Sequence, residues 1–368
     1  MTTVTLSDGT VLDMDSRWLR SCCRCELCGD STAGIRWFSP SDVGSDISAT
    51  STWADGAAVH VVWSDGHTSL FDAEQLVELM TSEIPGRAPR RSLLDGVPVV
   101  TYDDCLTDDA ALFAAQTALH EVGAVHMPGA PAAPHGTAEL ANRFGPVRVT
   151  SYGEVQTFIT KSTPKTAAET VKAQHPHTDE PYRYSPPGFL FFHSVVSGPV
   201  GEGTTVLADG FAAADQLRRV NPAAFEVLTS TPIPFHREHA SEVHFETRSL
   251  PITLASDGSI EAVRFNHRCL APLDPRTPRL TELLDALASF CAIFESPANQ
   301  IAIHLNAGDM LAFDNHRTMH GRSSFGENVD RHLRSCNVDR DAVHSGFRVL
   351  SRRLTGAVPT GLAQGPTT

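Results

Sequence analysis

Four cysteines within seven residues, Cys22, Cys23, Cys25 and Cys28, constrain this 368-residue chain more than any other feature. Thiols that dense form either a disulfide framework or a metal site. The N-terminus, MTTVTLSDGT, has no basic region followed by an apolar run, so no secretion signal is read and reduced thiols are expected. The cluster therefore reads as a metal site. The scattered Cys105, Cys269, Cys291 and Cys336 read as reduced, mostly buried thiols. Three thiolates and one imidazole make a tetrahedral zinc set. Cys23, Cys25, Cys28 and His67 are the choice, because adjacent thiols do not easily aim at one ion and Cys22 is left over.

The residues around the cluster read as a small α+β module over 1–85. VTLSDGTVLDM alternates around an Asp-Gly turn and predicts a hairpin. AVHVVWSDGHTSLFD predicts a strand, an Asp-Gly turn and a second strand, with His67 just past the turn. AEQLVELM (73–80) predicts a short amphipathic helix. So small a unit with few apolar residues calls for a staple. All four Trp (Trp18, Trp37, Trp53, Trp63) fall here. Residues 82–98 are rich in Pro, Gly and Arg and contain the linker, set at 86–98.

A second domain is read over 99–355, followed by a tail, 356–368, taken as disordered. It begins with a helix and strand over 108–129 and a second helix over 138–147. GEVQTFIT is a strand, followed by a looser segment. GFLFFHSVV (188–196) is an apolar strand of the kind buried on both faces. GTTVLADGFAAADQLRRV turns from strand to helix with Asp209 as N-cap. ITLASDGSIEAVRFN is a hairpin and residues 279–296 a strong helix. QIAIHLNAGDMLAFDN is strand, turn, strand, and RHLRSCNVDRDAVHSGFRVLSRRL a strand then a helix. No run of about 18 apolar residues predicts a membrane span. A net charge of −14 without a Lys/Arg-rich run argues against nucleic acid as a partner.

Within this domain stands His177-Thr178-Asp179. On a strand, side chains at i and i+2 share a face, so an imidazole and a carboxylate can converge on one ion. A distal His would complete the two-His-one-carboxylate set that holds non-haem Fe(II) with open positions. His320, in MLAFDNHRTMHGRSSF, follows a strand-like run. His316 is its local rival, and His304 and His332 are also available.

The order of motifs makes the resemblance specific. LRSCCRCELC and VVWSDGH are followed by FGPVRVTSYG, HTDEPYRYSPPGFLFFHSV and GTTVLADGF, then by FNHRCLAPLD, GDMLAFDNHRTMHGRSSF and RHLRSCNVDRD. The chain resembles, nearly end to end, the Fe(II)/2-oxoglutarate dioxygenases of the TauD/TfdA superfamily, closely the gamma-butyrobetaine and trimethyllysine hydroxylase branch. The resemblance implies a mainly β protein with helices: a double-stranded β-helix (jelly-roll) catalytic domain behind the zinc module. It implies iron on His177, Asp179 and His320, and structural zinc on the Cys23/Cys25/Cys28/His67 set. Arg331 stands where the family pairs an arginine with the far carboxylate of 2-oxoglutarate, with Arg334 as local rival, and Thr205 where a hydroxyl assists. A guanidinium grips a carboxylate in bidentate fashion as Lys does not. Consumption of O2 and 2-oxoglutarate, with release of succinate and CO2, is implied, as are a cytoplasmic homodimer and a small-molecule substrate. Related halogenases have a small residue in place of the carboxylate. With Asp179 present, hydroxylation is expected.

The match breaks at the substrate. Betaine hydroxylases of this branch cage a trimethylammonium group in aromatic rings, using the negative faces of Trp and Tyr. Tyr152 matches one cage position, but the others fall on Gln156, Glu169 and Asn337. No Trp lies beyond Trp63. Glu169 in a pocket could pair with a cation that has N–H donors; if the gapless alignment misplaces it, it is a solvated helix residue. Asn266, His267 and Arg268 follow a strand where the family binds a substrate carboxylate. The expected substrate is an amino acid or a small amine-bearing metabolite. The rivals are a true gamma-butyrobetaine or trimethyllysine hydroxylase with a rebuilt cage, a desaturase or cyclase of secondary metabolism, and an inactive binding protein.

Overall fold

The computed structural model describes residues 1–23, 25–30, 33, 35–81, 90–151, 153–159, 167–239 and 243–356. Tyr152, linker residues 82–89, the loose stretch 160–166 and the expected tail beyond Gly356 lie outside the described residues. The described residues divide into two compact units, one within Met1–Arg87 and one within Ala88–Pro359.

In the first unit the predicted hairpin is β1 (Thr2–Thr5) with β2 (Val11–Met14). Helix α1 (Ser16–Ser21), which the sequence pattern did not announce, starts at Asp15, whose carboxylate accepts the Trp18 N–H. Two-residue strands β3 (Gly29–Asp30) and β4 (Ile35–Arg36) pair beyond it. Strands β5 (Ala49–Asp55), β6 (Ala58–Trp63) and β7 (Thr68–Asp72) form an antiparallel sheet, followed by α2 (Ala73–Thr81). Alternation along β6 buries Val59, Val61 and Trp63 on one face. The Trp63 indole donates to the Ser69 hydroxyl at 2.9 Å, so its polar end is satisfied in the core.

The second unit opens with α3 (Tyr102–Thr107), α4 (Asp109–Glu121), β8 (Ala124–Pro128) and α5 (Gly136–Phe144). The stretch 90–98 packs with this unit, since Leu93 is buried among residues of both main sheets. Helix α5 stops short of the predicted residue 147 at Gly145, where an added Cβ would meet Ala342 and Val338. Next come β9 (Gln156–Ile159), β10 (Gln174–His177), β11 (Phe189–Val196) and β12 (Thr205–Asp209). Asp209 caps α6 (Gly210–Val220) as expected, accepting the Phe211 and Ala212 N–H groups. Then follow α7 (Pro222–Ser230) and a hairpin the sequence pattern did not announce, β13 (Ile233–His239) with β14 (Val243–Ser249). The predicted hairpin is β15 (Ile252–Leu254) with β16 (Ile260–Val263), and the strong helix is α8 (Leu280–Phe294). The chain closes through β17 (Gln300–Ile303), β18 (Asp309–Asp314), β19 (Thr318–Arg322), β20 (His332–Val338) and α9 (Arg340–Thr355).

Two antiparallel sheets, ordered β8-β18-β11-β20-β9 and β10-β19-β12-β17, make the jelly roll. Leu190, Phe192, Leu207 and Phe313 fill the space between them. Phe189 and Phe191, on the other face of β11, pack with Leu119 of α4 and Phe144 of α5. Both faces of β11 are therefore buried, and its sequence is a continuous apolar run for that reason. The inserted helices α6, α7 and α8 share a core with Ala208 and Met319, which covers the outer face of the smaller sheet. Strands β17 and β18 are neighbours in sequence but lie in different sheets, so residues 304–308 cross the roll rather than close a hairpin.

Candidate metal centre and its cavity

β10 and β19 run antiparallel with His177 directly opposite His320. Their rings lie 4.3 Å apart between centroids. Asp179, two residues beyond His177, turns back on both: its Oδ1 is 3.3 Å from His177 Nε2 and 3.7 Å from His320 Nε2. A six-coordinate ion with bonds of about 2.1 Å sets neighbouring ligand atoms about 3 Å apart, so the donor set fits one ion with slight contraction. The three ligand atoms lie within 4.8 Å of one another.

The surroundings prepare these donors. His177 Nδ1 faces the His175 carbonyl at 2.8 Å, which places its proton there and leaves Nε2 a lone pair. Burial, with the neighbouring His177, pushes His320 down to about 3 and keeps it a neutral imidazole. Burial opposes ionisation of Asp179, but His320, His177 and Arg268 outweigh it and hold the carboxyl below its usual range. Asn315 clamps the backbone of Asp179: its Oδ1 accepts the Asp179 N–H at 2.7 Å and its Nδ2 donates to the Asp179 carbonyl at 3.1 Å. Gly321 lets β10 come close, since a Cβ there would sit 2.5 Å from the Gln174 carbonyl oxygen.

A cavity of about 190 Å³ opens over this set. Arg331 and Thr205 both line it. Burial lowers the Arg331 pKa, and among the described residues its guanidinium meets the Phe325 ring but no carboxylate. Arg334 points elsewhere, donating to the carbonyls of Ala132 and Ala133. His316 and His332 are likewise absent from the cavity wall. His304 faces the Ser197 hydroxyl at 3.2 Å.

The predicted substrate residues divide. Gln156 and Asn266 line the cavity, and Asn266 Nδ2 donates to the Thr178 carbonyl. Arg268 lines it too, donating to Gln174 Oε1 and to His177 Nε2 at 2.9 and 2.7 Å. With an ion on that imidazole nitrogen, the guanidinium must turn to another acceptor. Glu169 is buried in a 3-10 turn, and Ala168 beside it lines the cavity instead. His267 is exposed, its ring edge-on to His175, and Asn337 is not on the wall.

Three residues escaped the sequence reading. Asn315 stood at the end of a predicted strand with no role assigned. Glu180 follows Asp179 with φ 50° and lines the cavity. Arg322, two residues after His320, donates to the carbonyls of Ala168, Thr170 and Lys172 and fixes the segment over the site. Its guanidinium is pushed down to about 10 by burial and by Arg331 and Arg268.

In the first unit the Sγ atoms of Cys23, Cys25 and Cys28 lie 3.3, 3.5 and 3.5 Å from His67 Nε2. Tetrahedral zinc with bonds of about 2.3 Å to sulfur and about 2.0 Å to nitrogen requires S···N edges of about 3.5 Å, which these match. Arg20 donates to Cys28 Sγ and pairs with Asp65, which accepts the His67 backbone N–H, so charge and loop are set together. Cys22 stays outside the set.

Comparison with known proteins follows the same division. Residues 89–337 match the family model described as Taurine catabolism dioxygenase TauD, TfdA family. Residues 2–77 match Gamma-butyrobetaine hydroxylase-like, N-terminal. The gamma-butyrobetaine dioxygenase of Pseudomonas sp. (strain AK-1) is 30% identical over 363 residues, 95% of this chain and 93% of that protein. The mitochondrial trimethyllysine dioxygenase of Mus musculus is 27% identical over 355 residues, 93% and 84% of the two chains. A Burkholderia xenovorans structure assigned as an alpha-ketoglutarate-dependent taurine dioxygenase superposes with a TM-score of 0.52 at 17% identity, over 68% of this chain and 91% of its own, and supports the fold. The chain thus belongs to the TauD/TfdA family and is a 2-oxoglutarate-dependent non-haem iron dioxygenase with a gamma-butyrobetaine hydroxylase-like N-terminal domain.

Proposed function

We propose that this enzyme hydroxylates a C–H bond of a small amine-bearing or amino-acid-like metabolite, with His177, Asp179 and His320 holding Fe(II). Arg331 takes the far carboxylate of 2-oxoglutarate, assisted by Thr205. The observation that carries the reading is the Arg331 guanidinium, set in the cavity of the His/Asp/His set without a carboxylate partner among the described residues. Iron bound there supplies the oxidising chemistry that couples decarboxylation of 2-oxoglutarate to succinate and CO2 with insertion of oxygen into the substrate. The chain's own part is to orient. Asn315 fixes Asp179, the His175 carbonyl fixes the tautomer of His177, and Arg322 holds the segment over the cavity. Residues 1–85 act as a zinc module on Cys23, Cys25, Cys28 and His67 and residues 99–355 as the catalytic domain; of the expected linker 86–98, residues 90–98 belong with the catalytic domain. The enzyme works as a cytoplasmic homodimer on this reading; no helix among the described residues is long and apolar enough to cross a membrane.

A second reading, gamma-butyrobetaine hydroxylation, is favoured by the identity to the Pseudomonas enzyme. Against it, the aromatic lining among the described residues is Phe158, Tyr182 and Phe192, and Phe192 already packs edge-on to His320. That is a poor cage for a quaternary ammonium. Turnover decides: efficient hydroxylation of gamma-butyrobetaine with no response to amino acids sinks the first reading. Product mass separates hydroxylation (gain of one oxygen) from desaturation or ring closure (loss of two hydrogens).

A further inference from the structure

Glu180 has features that its place next to Asp179 does not require. Its φ of 50° is a left-handed conformation that disfavours residues with a Cβ. Such geometry persists where the surroundings over-determine it, often at ligand sites. Here Arg183 Nε donates to Glu180 Oε2. Arg183 is itself placed by the Ser151 hydroxyl at 3.3 Å and by the Phe245 ring, 4.4 Å from its guanidinium carbon. Arg264 holds the carbonyls of Pro181 and Arg183. One carboxylate oxygen is thus anchored from behind.

The other oxygen, Oε1, accepts no hydrogen bond among the described residues, although the side chain is only 11% exposed and the charges of Arg183 and Arg148 act on the carboxylate as a whole. Glu180 lines the same cavity as Asp179, and these two are the carboxylates on its described wall. A half-satisfied, largely buried carboxylate calls for an N–H donor. A primary ammonium or a guanidinium offers one; a trimethylammonium does not. Arg237 and Arg268 line the cavity as well, so a cation entering it needs an anionic end to offset them.

We propose that Glu180 selects the substrate: a small zwitterion whose cationic nitrogen keeps at least one N–H for Glu180 Oε1 and whose anionic end faces Arg268. The assignment rests on the dioxygenase reading above. It moves the expected cation partner from Glu169 to a residue that lines the cavity.

The test uses the full chain with Fe(II) and 2-oxoglutarate and four matched pairs of probes: glycine, β-alanine, 4-aminobutyrate and lysine, each against its N-trimethylated form (Nε for lysine). Succinate release above the probe-free rate is measured, with KM and kcat separated. The primary amine should exceed its trimethylated partner by about tenfold or more in kcat/KM, mainly through KM, in whichever pair responds. Glu180→Gln and Glu180→Gly should erase that preference; glycine also suits the left-handed backbone, so this variant keeps the fold. Preference for a trimethylated probe, no response to any probe, or a preference intact in both variants overturns the proposal. Absence of iron-dependent 2-oxoglutarate consumption by the wild type, with or without probes, sinks the dioxygenase reading and takes this assignment with it.

Discussion

At the residue scale, the resemblance singles out Arg331 with Arg334 as its local rival, and the two side chains take different directions. Arg331 precedes β20 and faces the cavity, whereas Arg334 is spent on two backbone carbonyls. Arg331→Ala should raise KM for 2-oxoglutarate by roughly 10- to 150-fold, the worth of charged hydrogen bonds at about 1.5–3 kcal/mol. Arg331→Lys should recover little of it, because a point charge does not reproduce the bidentate grip. Steady-state titration of 2-oxoglutarate measures both, and an unchanged KM in Arg331→Ala removes the assignment. Asn315 supplies no ligand yet holds both backbone polar groups of Asp179.

At the element scale, the site depends on how closely β10 lies against β19. Gly321→Ala pushes a methyl into the Gln174 carbonyl and the Pro176 nitrogen. That overpacking should cost about 1–3 kcal/mol. It should also lower iron content, because β10 carries His177. Thermal melting and metal analysis of the same sample test the two effects together. Behind the sheet, Arg317 pairs with Asp209 at 2.7 Å and donates to the carbonyls of His120, Glu121 and Arg91. Both side chains are almost fully buried, 3% and 9% exposed. Arg317→Met leaves the buried Asp209 carboxylate with its helix-cap hydrogen bonds but no counter-charge, and should cost about 3 kcal/mol in urea unfolding.

At the scale of the whole molecule, the two units can be followed separately. All four Trp lie in the first unit, with Trp63 in its core. Chelation of zinc should therefore red-shift tryptophan emission while the far-ultraviolet signal of the larger unit remains. Unaltered emission after zinc loss, confirmed by metal analysis, argues against a structural role. The second unit is expected to be acid-sensitive. Burial pushes His120 down to about 3 and His344 down to about 4, from 6.5. Both are neutral in the fold, so the unfolded chain takes the protons, and stability falls as pH drops below 6.5 toward those values. The loss reaches about 2 kcal/mol per imidazole at pH 5. Replacing His344 by Phe, whose ring can keep the contact with His120, should shrink the difference in urea midpoint between pH 7.5 and pH 5.

The sequence by itself determined the elements with a repeating pattern and the ligands with fixed spacing. Alternation and apolar runs marked β6, β11 and α8, Asp209 announced its own cap, and His177-x-Asp179 and the cysteine cluster announced their chemistry, because each signal is local to a few neighbouring residues. Helices α1 and α7 and the hairpin β13–β14 gave weaker local signals, since their apolar faces acquire meaning only against a shared core. The motif resemblance pointed to His320 and Arg331, but the tertiary structure shows how they converge, His320 opposite His177 and Arg331 on the cavity, and it alone puts Glu180 rather than Glu169 on the wall. A strand's pairing partner and the direction of a loop side chain depend on close packing between segments more than a hundred residues apart, and no local pattern encodes them.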